Sequence, residues 1–585
     1  MNRTHQDRLG PRLCVYAKSI DTLSQAVNDG EHAILQVLLK QGVDVNVKDL
    51  HDRTFFMRAV EQGDKAVVRL ILENKGSTEV NSTDERGRTP LSCAAQNGER
   101  EMVKLLLEQG GAEVNWKDYR GKTPLSWAAS EGNEATMRIL LEQDNIEVNS
   151  KDDEGRTPLS WAAEHLPEVV QLLLEREDTE VNLKDGSGRS PLSWAASGGS
   201  EAAMRLLLGK EGIEVNSKDD EGCTPLSRAA TRGSEGVVGL LMEHESIEVN
   251  SRDGDNCTPL MLAAKEDNGA VVRVLLEIGG ADVNLKDDNG RTPLAWAAIR
   301  GSEATVRLIL EQDGVEVNSE DDEGRTPLSK AAEYGNQGMV QLLLEQGVVE
   351  VNSKDGESCT PLLLATKGVN WAVMQLLLEE HGVEVNSKDS DGRTPLSWAA
   401  GNGIRAAVEL LLERASVEIN LTDNEGRTPL SWAAKNCNLH AVWPLLEQGR
   451  TDVNSKDDDG RTPLWWAVRN GRDTEVDVLL KRADVDINLR DNYGRAPLSW
   501  AAGYDRRAII PLLLKQKDID VNSKDNDGRT PLSWAAGNGS DAAVGLLLEQ
   551  GDADINLPDN NGRTPLSWAE ENRRNKCALL LKRRH

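Results

Sequence analysis

The sequence predicts an all-α repeat solenoid, a curved stack of about 17 helix–turn–helix units with projecting hairpin-like loops. Three observations predict it. A Thr-Pro-Leu run recurs at a fixed interval. Each run opens two stretches with apolar residues at helical spacing. Each pair of stretches closes on a loop rich in Asn, Asp and Gly. The Thr of the run falls at Thr54, Thr89, Thr123, Thr157, Thr224, Thr258, Thr292, Thr326, Thr360, Thr394, Thr428, Thr462, Thr530 and Thr564, with Ser190 and Ala496 standing in at two units. The first gap is 35 residues, the fourth 33 and every other gap 34. An earlier unit, Asp21 to Gly30, fits one period upstream. The expected organisation is an N-terminal segment, 1–19, and one array, 20–585, whose terminal repeats act as caps. A length of 585 residues would otherwise suggest about four domains.

The unit from Thr123 to Arg156 shows why each element forms. Thr123 caps the free N–H groups of a helix start, and Pro124 suits the first helical position because no donor is needed there. Leu125, Ala128 and Ala129 make one apolar face, and Gly132 stops the helix. A second helix runs through Met137, Leu140 and Leu141 and ends near Gln143. Val148 to Gly155 carries the Asn, Asp and Gly of a tight turn. Small Ala128 and Ala129 let the next unit come close. One unit cannot bury both faces of its helices, whereas stacked units can.

These units resemble ankyrin repeats, as in Thr394-Pro395-Leu396-Ser397-Trp398-Ala399-Ala400 followed by a VN-rich loop. The usual His after TPL is mostly Ser here (Ser126, Ser160, Ser397), and the period is 34. The RTPLSWAA variant resembles fungal ankyrin arrays, some of which follow a NACHT-type nucleotide-binding domain that this chain lacks. The resemblance implies a protein-interaction scaffold, binding on loop tips and the concave helix face, without catalysis.

Composition narrows the partners. With 97 acidic and 68 basic side chains the formal net charge is −29. That opposes a phosphate-tracking nucleic-acid binder, which needs clustered Lys and Arg. No apolar run reaches the ~18 residues of a membrane span. Met1 to Ile20 has no apolar core of a secretory signal. Seven cysteines without CxxC spacing read as reduced thiols. The expectation is a cytoplasmic monomer. The tail Lys582-Arg583-Arg584-His585 suits a helix C-terminus and, as the alternative, a nuclear import signal.

The search for chemistry finds little. Gly121-Lys122-Thr123 ends like a phosphate loop, but Trp116 stands where that loop needs its first Gly. There is no HExxH, and the eight histidines share no repeat phase. Cys223 and Cys257 share a phase, but stacked helices lie about 8–10 Å apart, too far for a disulfide. No metal or cofactor is expected. The Asn of the VN loop recurs sixteen times, from Asn46 to Asn556, as a turn residue whose amide satisfies backbone groups; the family resemblance adds hydroxylation as a further reading.

The strongest candidate site is a Trp stripe. Of 14 Trp, ten lie four residues after the Thr: Trp127, Trp161, Trp194, Trp296, Trp398, Trp432, Trp466, Trp500, Trp534 and Trp568. That phase is about 200° from the Leu of the core face, towards the concave side. The rings either glue neighbouring repeats or line a binding groove. All ten units carry Lys or Arg just before the Thr (Lys122, Arg156, Arg189, Arg291, Arg393, Arg427, Arg461, Arg495, Arg529, Arg563). Shared ancestry of recent duplicates is the preferred account, with cation–π pairing as the alternative. Arg228, Leu262, Lys330 and Leu364 break the stripe, and together with the ten Trp they are the candidate partner-binding residues. Specificity is expected at these breaks, in the units opening at Thr224 to Thr360.

The function expected is non-enzymatic binding of partner proteins; the alternative is a sensing or regulatory array working with a NACHT-type NTPase. A weak region is expected at 428–530. Pro444 and Pro511 fall inside second helices, and Cys437 and Asp505 replace the helix-ending Gly.

Overall fold

The computed structural model describes residues 32–40, 43–73, 78–550 and 552–584. The opening of the expected earlier unit, Asp21 to Gly30, and the segment 1–19 lie outside the described residues. Two compact units are distinguished, 1–288 and 289–585. In the first, the helix His32–Lys40 precedes seven helix pairs, from Phe55–Glu61 and Lys65–Glu73 to Pro259–Lys265 and Gly269–Glu277. In the second, nine pairs run from Pro293–Arg300 and Glu303–Leu310 to Pro565–Glu571 and Asn575–Lys582. Within each, first helices pack on neighbouring first helices and second helices on second helices, as a repeat solenoid requires. Among the described residues there is no strand, only one antiparallel bridge between Lys48 and Thr54.

The local chemistry is as the residues dictate. Thr123 is extended, and its Oγ1 accepts the Ser126 N–H at 3.2 Å. The helix runs Pro124–Glu131 and stops at Gly132, whose φ of 74° belongs to the left-handed region. The second helix is Glu134–Leu141. Leu125, Ala128, Ala129, Met137 and Leu140 are fully buried. The hairpin-like loop is closed by the Asp152 N–H on the Arg156 carbonyl at 3.0 Å and the Gly155 N–H on the Asp152 carbonyl at 2.9 Å. Ser126, in place of the family's His, is buried with its Oγ 3.0 Å from the Thr123 hydroxyl.

The recurring Asn joins one loop to the next. Asn115 Oδ1 accepts the Glu147 N–H at 3.0 Å, and its Nδ2 donates to the Asn145 carbonyl at 2.7 Å. Asn149 repeats this towards Glu180 and Asp178, and Asn488 towards Asp520 and Asp518. The amide satisfies backbone donors and acceptors of the neighbouring unit, not only those of its own turn.

The two prolines part company. Pro444 lies inside the helix Leu439–Glu447, which is neither cut nor shortened. The His440 carbonyl, deprived of its donor four residues on, belongs to an exposed residue. Pro511 instead occupies the first turn of a helix reduced to Ile510–Leu514, where its missing N–H costs nothing. Arg507 to Ile509 form a turn in place of the helical residues other units have there. The expected interior penalty thus holds for Pro444 alone. Cys437 and Asp505 do adopt the left-handed conformation of the Gly they replace, with φ of 63° and 52°.

Candidate functional site

The stripe is organised by an aspartate. In each unit an Asp five residues before the Thr sits under the loop. Asp152 is typical: its Oδ1 accepts the Glu154 and Arg156 N–H groups at 3.0 and 2.8 Å, and its Oδ2 accepts the Trp161 indole N–H at 2.8 Å. The indole of Trp127 donates to Asp118, Trp194 to Asp185, Trp398 to Asp389, Trp432 to Asp423 and Trp466 to Asp457. Trp500, Trp534 and Trp568 do the same with Asp491, Asp525 and Asp559. The ring therefore ties its own helix to the loop that precedes it.

The cations lie over these rings. Lys122 Nζ is 4.4 Å from the Trp127 centroid and 3.6 Å from that of Trp161. Arg156 lies 4.4 Å over Trp161 and 3.8 Å over Trp194. Arg189 covers Trp194 and Arg291 covers Trp296. In the second unit Arg393, Arg427, Arg461, Arg495, Arg529 and Arg563 each cover the Trp of their own repeat. The pairing preferred above as mere shared ancestry is a physical contact at all ten positions. Several cations also bridge to the next ring, so ring and charge alternate along the stack. Burial holds the Lys122 ammonium below its ordinary value even with Asp152 and Asp118 nearby. Trp194 and Trp466 are buried and the other eight rings half-buried.

Where the stripe breaks, the replacements turn inward. Arg228 Nε donates to Asp219 Oδ2 at 2.8 Å, doing the work of the indole. Lys330, 2% exposed, places Nζ 2.9 Å from Asp321 Oδ2. Leu262 and Leu364 are buried and offer no donor. Leu364 joins Cys359 and Leu363 in a cluster against which Trp398 packs. Asp253, the loop Asp opposite Leu262, has its pKa raised by burial. Asp559, opposite Trp568, is lowered: burial pushes it up, but the Arg563 and Asn561 N–H groups, the indole and the Arg563 charge outweigh that.

At the same phase in an earlier unit stands Cys93, with Glu61 and Asp84 within 4.8 Å. Burial pushes its thiol up to about 12. Arg88 occupies this cluster, 2.8 Å from Asp84 and 3.7 Å from Glu61, and supplies the counter-charge. The described cysteines 93, 223, 257, 359, 437 and 577 are all free thiols.

A family model for ankyrin repeats in three copies matches eight overlapping segments, from 23–118 through 111–185, 166–253, 246–321, 313–389, 362–457 and 441–525 to 509–585. The chain belongs to the ankyrin repeat family. Its ankyrin units are similar to those of inversin from Danio rerio, 41% identical over 75 residues, which is 13% of this chain and 7% of inversin. A Caenorhabditis elegans ankyrin repeat and KH domain-containing protein, mask-1, is 38% identical over 85 residues, 14% of this chain and 3% of the relative. The 26S proteasome non-ATPase regulatory subunit 10 of Dictyostelium discoideum is 37% identical over 91 residues, 15% of this chain and 39% of the relative. The chain thus spans under two fifths of the length of each of these curated relatives. Ankyrin repeats are protein-interaction modules. No helix among the described residues is long and apolar enough to cross a membrane.

The residue that organises this ankyrin stripe, the loop Asp, is absent from the sequence-predicted sites. Its signal is present all the same: Asp recurs five residues before the opening position in every unit from Asp49 to Asp559. A turn former needs no such fixed distance to a Trp nine residues on.

Proposed function

We propose that the chain is a non-enzymatic scaffold that binds partner proteins on its loop tips and on the face of its first helices, as a cytoplasmic monomer. One observation carries the reading. The framework side chains are consumed by the frame itself (Thr by the helix cap, Asp and Trp by the loop, Asn by the neighbouring unit), while the tips they hold out change from repeat to repeat. Exposed tip residues include Tyr119, Glu154, Glu221, Glu357, Asp391 and Tyr493. A rigid frame that presents variable surface residues is a recognition device. The stripe Trp rings form part of the same face, because eight keep some surface at the solvent. Selectivity is assigned to the change that the pattern breaks make in this face: Arg228, partly exposed, puts a cation where other units hold a ring, and buried Leu262, Lys330 and Leu364 take the ring away.

Crosslinking pulldown with the whole chain tests this. A variant carrying Arg228→Trp, Leu262→Trp, Lys330→Trp and Leu364→Trp is expected to lose partners that the natural chain captures. Equal capture by both removes the breaks from recognition. Capture of no protein by either removes the scaffold reading.

A further inference from the structure

The residue seven after the Thr faces the cation just before the Thr, beside the stripe position. In four units this residue is a glutamate, Glu61, Glu164, Glu333 or Glu571, and three of them pair with the cation: Arg53 with Glu61 at 2.9 Å, Arg325 with Glu333 at 2.9 Å and Arg563 with Glu571 at 3.5 Å. Where that position is Lys265 or Lys367, the preceding base has become Cys257 or Cys359, so cation never meets cation. Lys367 Nζ lies 3.1 Å from Cys359 Sγ.

Two neighbouring units break this rule. Arg427 faces Lys435, and Arg461 faces Arg469. Lys435 Nζ stands 4.7 Å from the Trp432 centroid and 5.1 Å from that of Trp466. Arg469 stands 5.5 Å from Trp466 and 5.8 Å from Trp465. Both extra cations thus converge on one ring. The loop carboxylates Glu425 and Asp459 pair with Arg427 and Arg461. Among the described residues none stands within ion-pair distance of Lys435 or Arg469. Burial, then the Arg427 charge, hold the Lys435 ammonium below its ordinary value. In a chain of net charge −29, these are two cations side by side in addition to the Arg427 and Arg461 that the neighbouring carboxylates already pair.

Beside them is the densest aromatic group of the second unit. Trp465, 2% exposed, meets Trp466 edge-on at 5.1 Å and Trp500 at 4.9 Å, and its indole N–H has no acceptor among the described residues. Tyr504 stacks on Trp500, with centroids 5.0 Å apart and planes 7° apart, and remains 59% exposed. Arg506 fixes the adjacent turn by donating to the Arg469 carbonyl at 2.6 Å. Trp, Tyr and Arg held rigidly together are the residues that dominate protein interfaces.

We propose that Lys435 and Arg469, framed by Trp432, Trp466, Trp500 and Tyr504, dock an acidic segment of a partner protein. Its carboxylates take the place that Glu61, Glu333 and Glu571 hold in their own units, and an apolar or aromatic side chain packs on Tyr504. The inference rests on the scaffold reading above and names the partner chemistry of one part of it. Charge complementarity selects the occupant: a half-buried Lys435 and an exposed Arg469, neither within ion-pair distance of a carboxylate among the described residues, suit a short run of Asp or Glu, while the acidic remainder of the chain repels a continuous polyanion.

The test uses the full chain and three fluorescent peptides of one length, each with a single Phe: Asp/Glu-rich, Asn/Gln-rich and Lys-rich. A single-stranded oligonucleotide is the fourth probe. Anisotropy is expected to show binding of the acidic peptide alone, weakening as salt rises. The double variant Lys435→Glu and Arg469→Glu recreates the Arg–Glu pairing of other units and so keeps the fold, which circular dichroism checks. It is expected to bind the acidic peptide at least tenfold more weakly, and Tyr504→Ala several-fold more weakly. Equal binding of the acidic and neutral peptides, or no loss in the double variant, overturns the proposal. Tighter binding of the oligonucleotide overturns it in favour of nucleic acid. Because pulldown with the stripe variant is read separately, failure here leaves the scaffold reading standing or falling on its own result.

Discussion

The neighbouring units opening at Thr394 and Thr360 share one backbone plan and differ in how they hold it. In the Thr394 unit, Asp389 accepts the Asp391 and Arg393 N–H groups at 3.1 and 2.8 Å and the Trp398 indole at 2.8 Å. Its two left-handed positions are Gly392 and Gly403. In the Thr360 unit the indole is replaced by buried Leu364, and the donor to Asp355 Oδ2 comes from the preceding unit, as Arg325 Nε at 3.3 Å. At the two equivalent left-handed positions it has Ser358 and Val369, with φ of 61° and 59°. A β-branched residue in that conformation is strained. The loop Asp and the turn geometry are therefore the invariants. The side chain that satisfies the Asp, and the residue that accepts the turn, are free to change at a local penalty that repeat stacking tolerates.

The largest effect that would break this comparison is loss of the Asp. Asp389→Ala leaves three donors without their acceptor and is expected to destabilise its region by about 3 kcal/mol, measured by hydrogen exchange. Asp355→Ala is expected to lose a comparable amount, because the Arg325 guanidinium depends on it in place of an indole. A loss far below that of Asp389→Ala would deny Arg325 the part the indole plays. Trp398→Ala comes next, at about 2–3 kcal/mol, because the ring also covers Cys359, Leu363 and Leu364. Denaturant unfolding of single-site variants reads this difference, and a loss below that of an exposed loop change would reduce the ring to decoration.

Val369→Gly relieves left-handed strain of roughly 1–2 kcal/mol against the added chain entropy of Gly, for a net gain of about 0.5–1 kcal/mol. The reciprocal Gly403→Val should destabilise. If both changes destabilise, Val369 is not strained in solution.

The smallest effect is a dependence on pH. The Asp253 pKa is raised in the folded state, so its contribution to stability is present below the unfolded value and is lost as pH rises through the folded one. Asp253→Asn should therefore gain on the natural chain as pH is taken from acid to neutral. The Asp559 pKa is lowered, so its contribution is present above the unfolded value and lost as pH falls through the folded one. Asp559→Asn should cost stability near neutrality and little in acid. Urea melts across that range check both signs, and parallel profiles would remove the donor set as the cause.

The sequence by itself determined the fold, because every element announces itself locally. Thr-Pro opens the first helix, Gly closes it, apolar residues at helical spacing mark both helices, and the period repeats this from end to end. It also located the stripe, since ten Trp at one phase need no coordinates to be seen. Tertiary structure alone decided what the stripe does. Whether Arg lies over Trp, whether Lys330 stands free or reaches a buried Asp321, and whether Pro511 begins a helix or breaks one are settled by distances across neighbouring units or by a helix start displaced by three residues. Helical spacing reports only which side of its own helix a residue occupies. The partner it meets there belongs to another segment, such as a loop Asp nine residues back or a cation one unit away, and only packing brings that segment within reach.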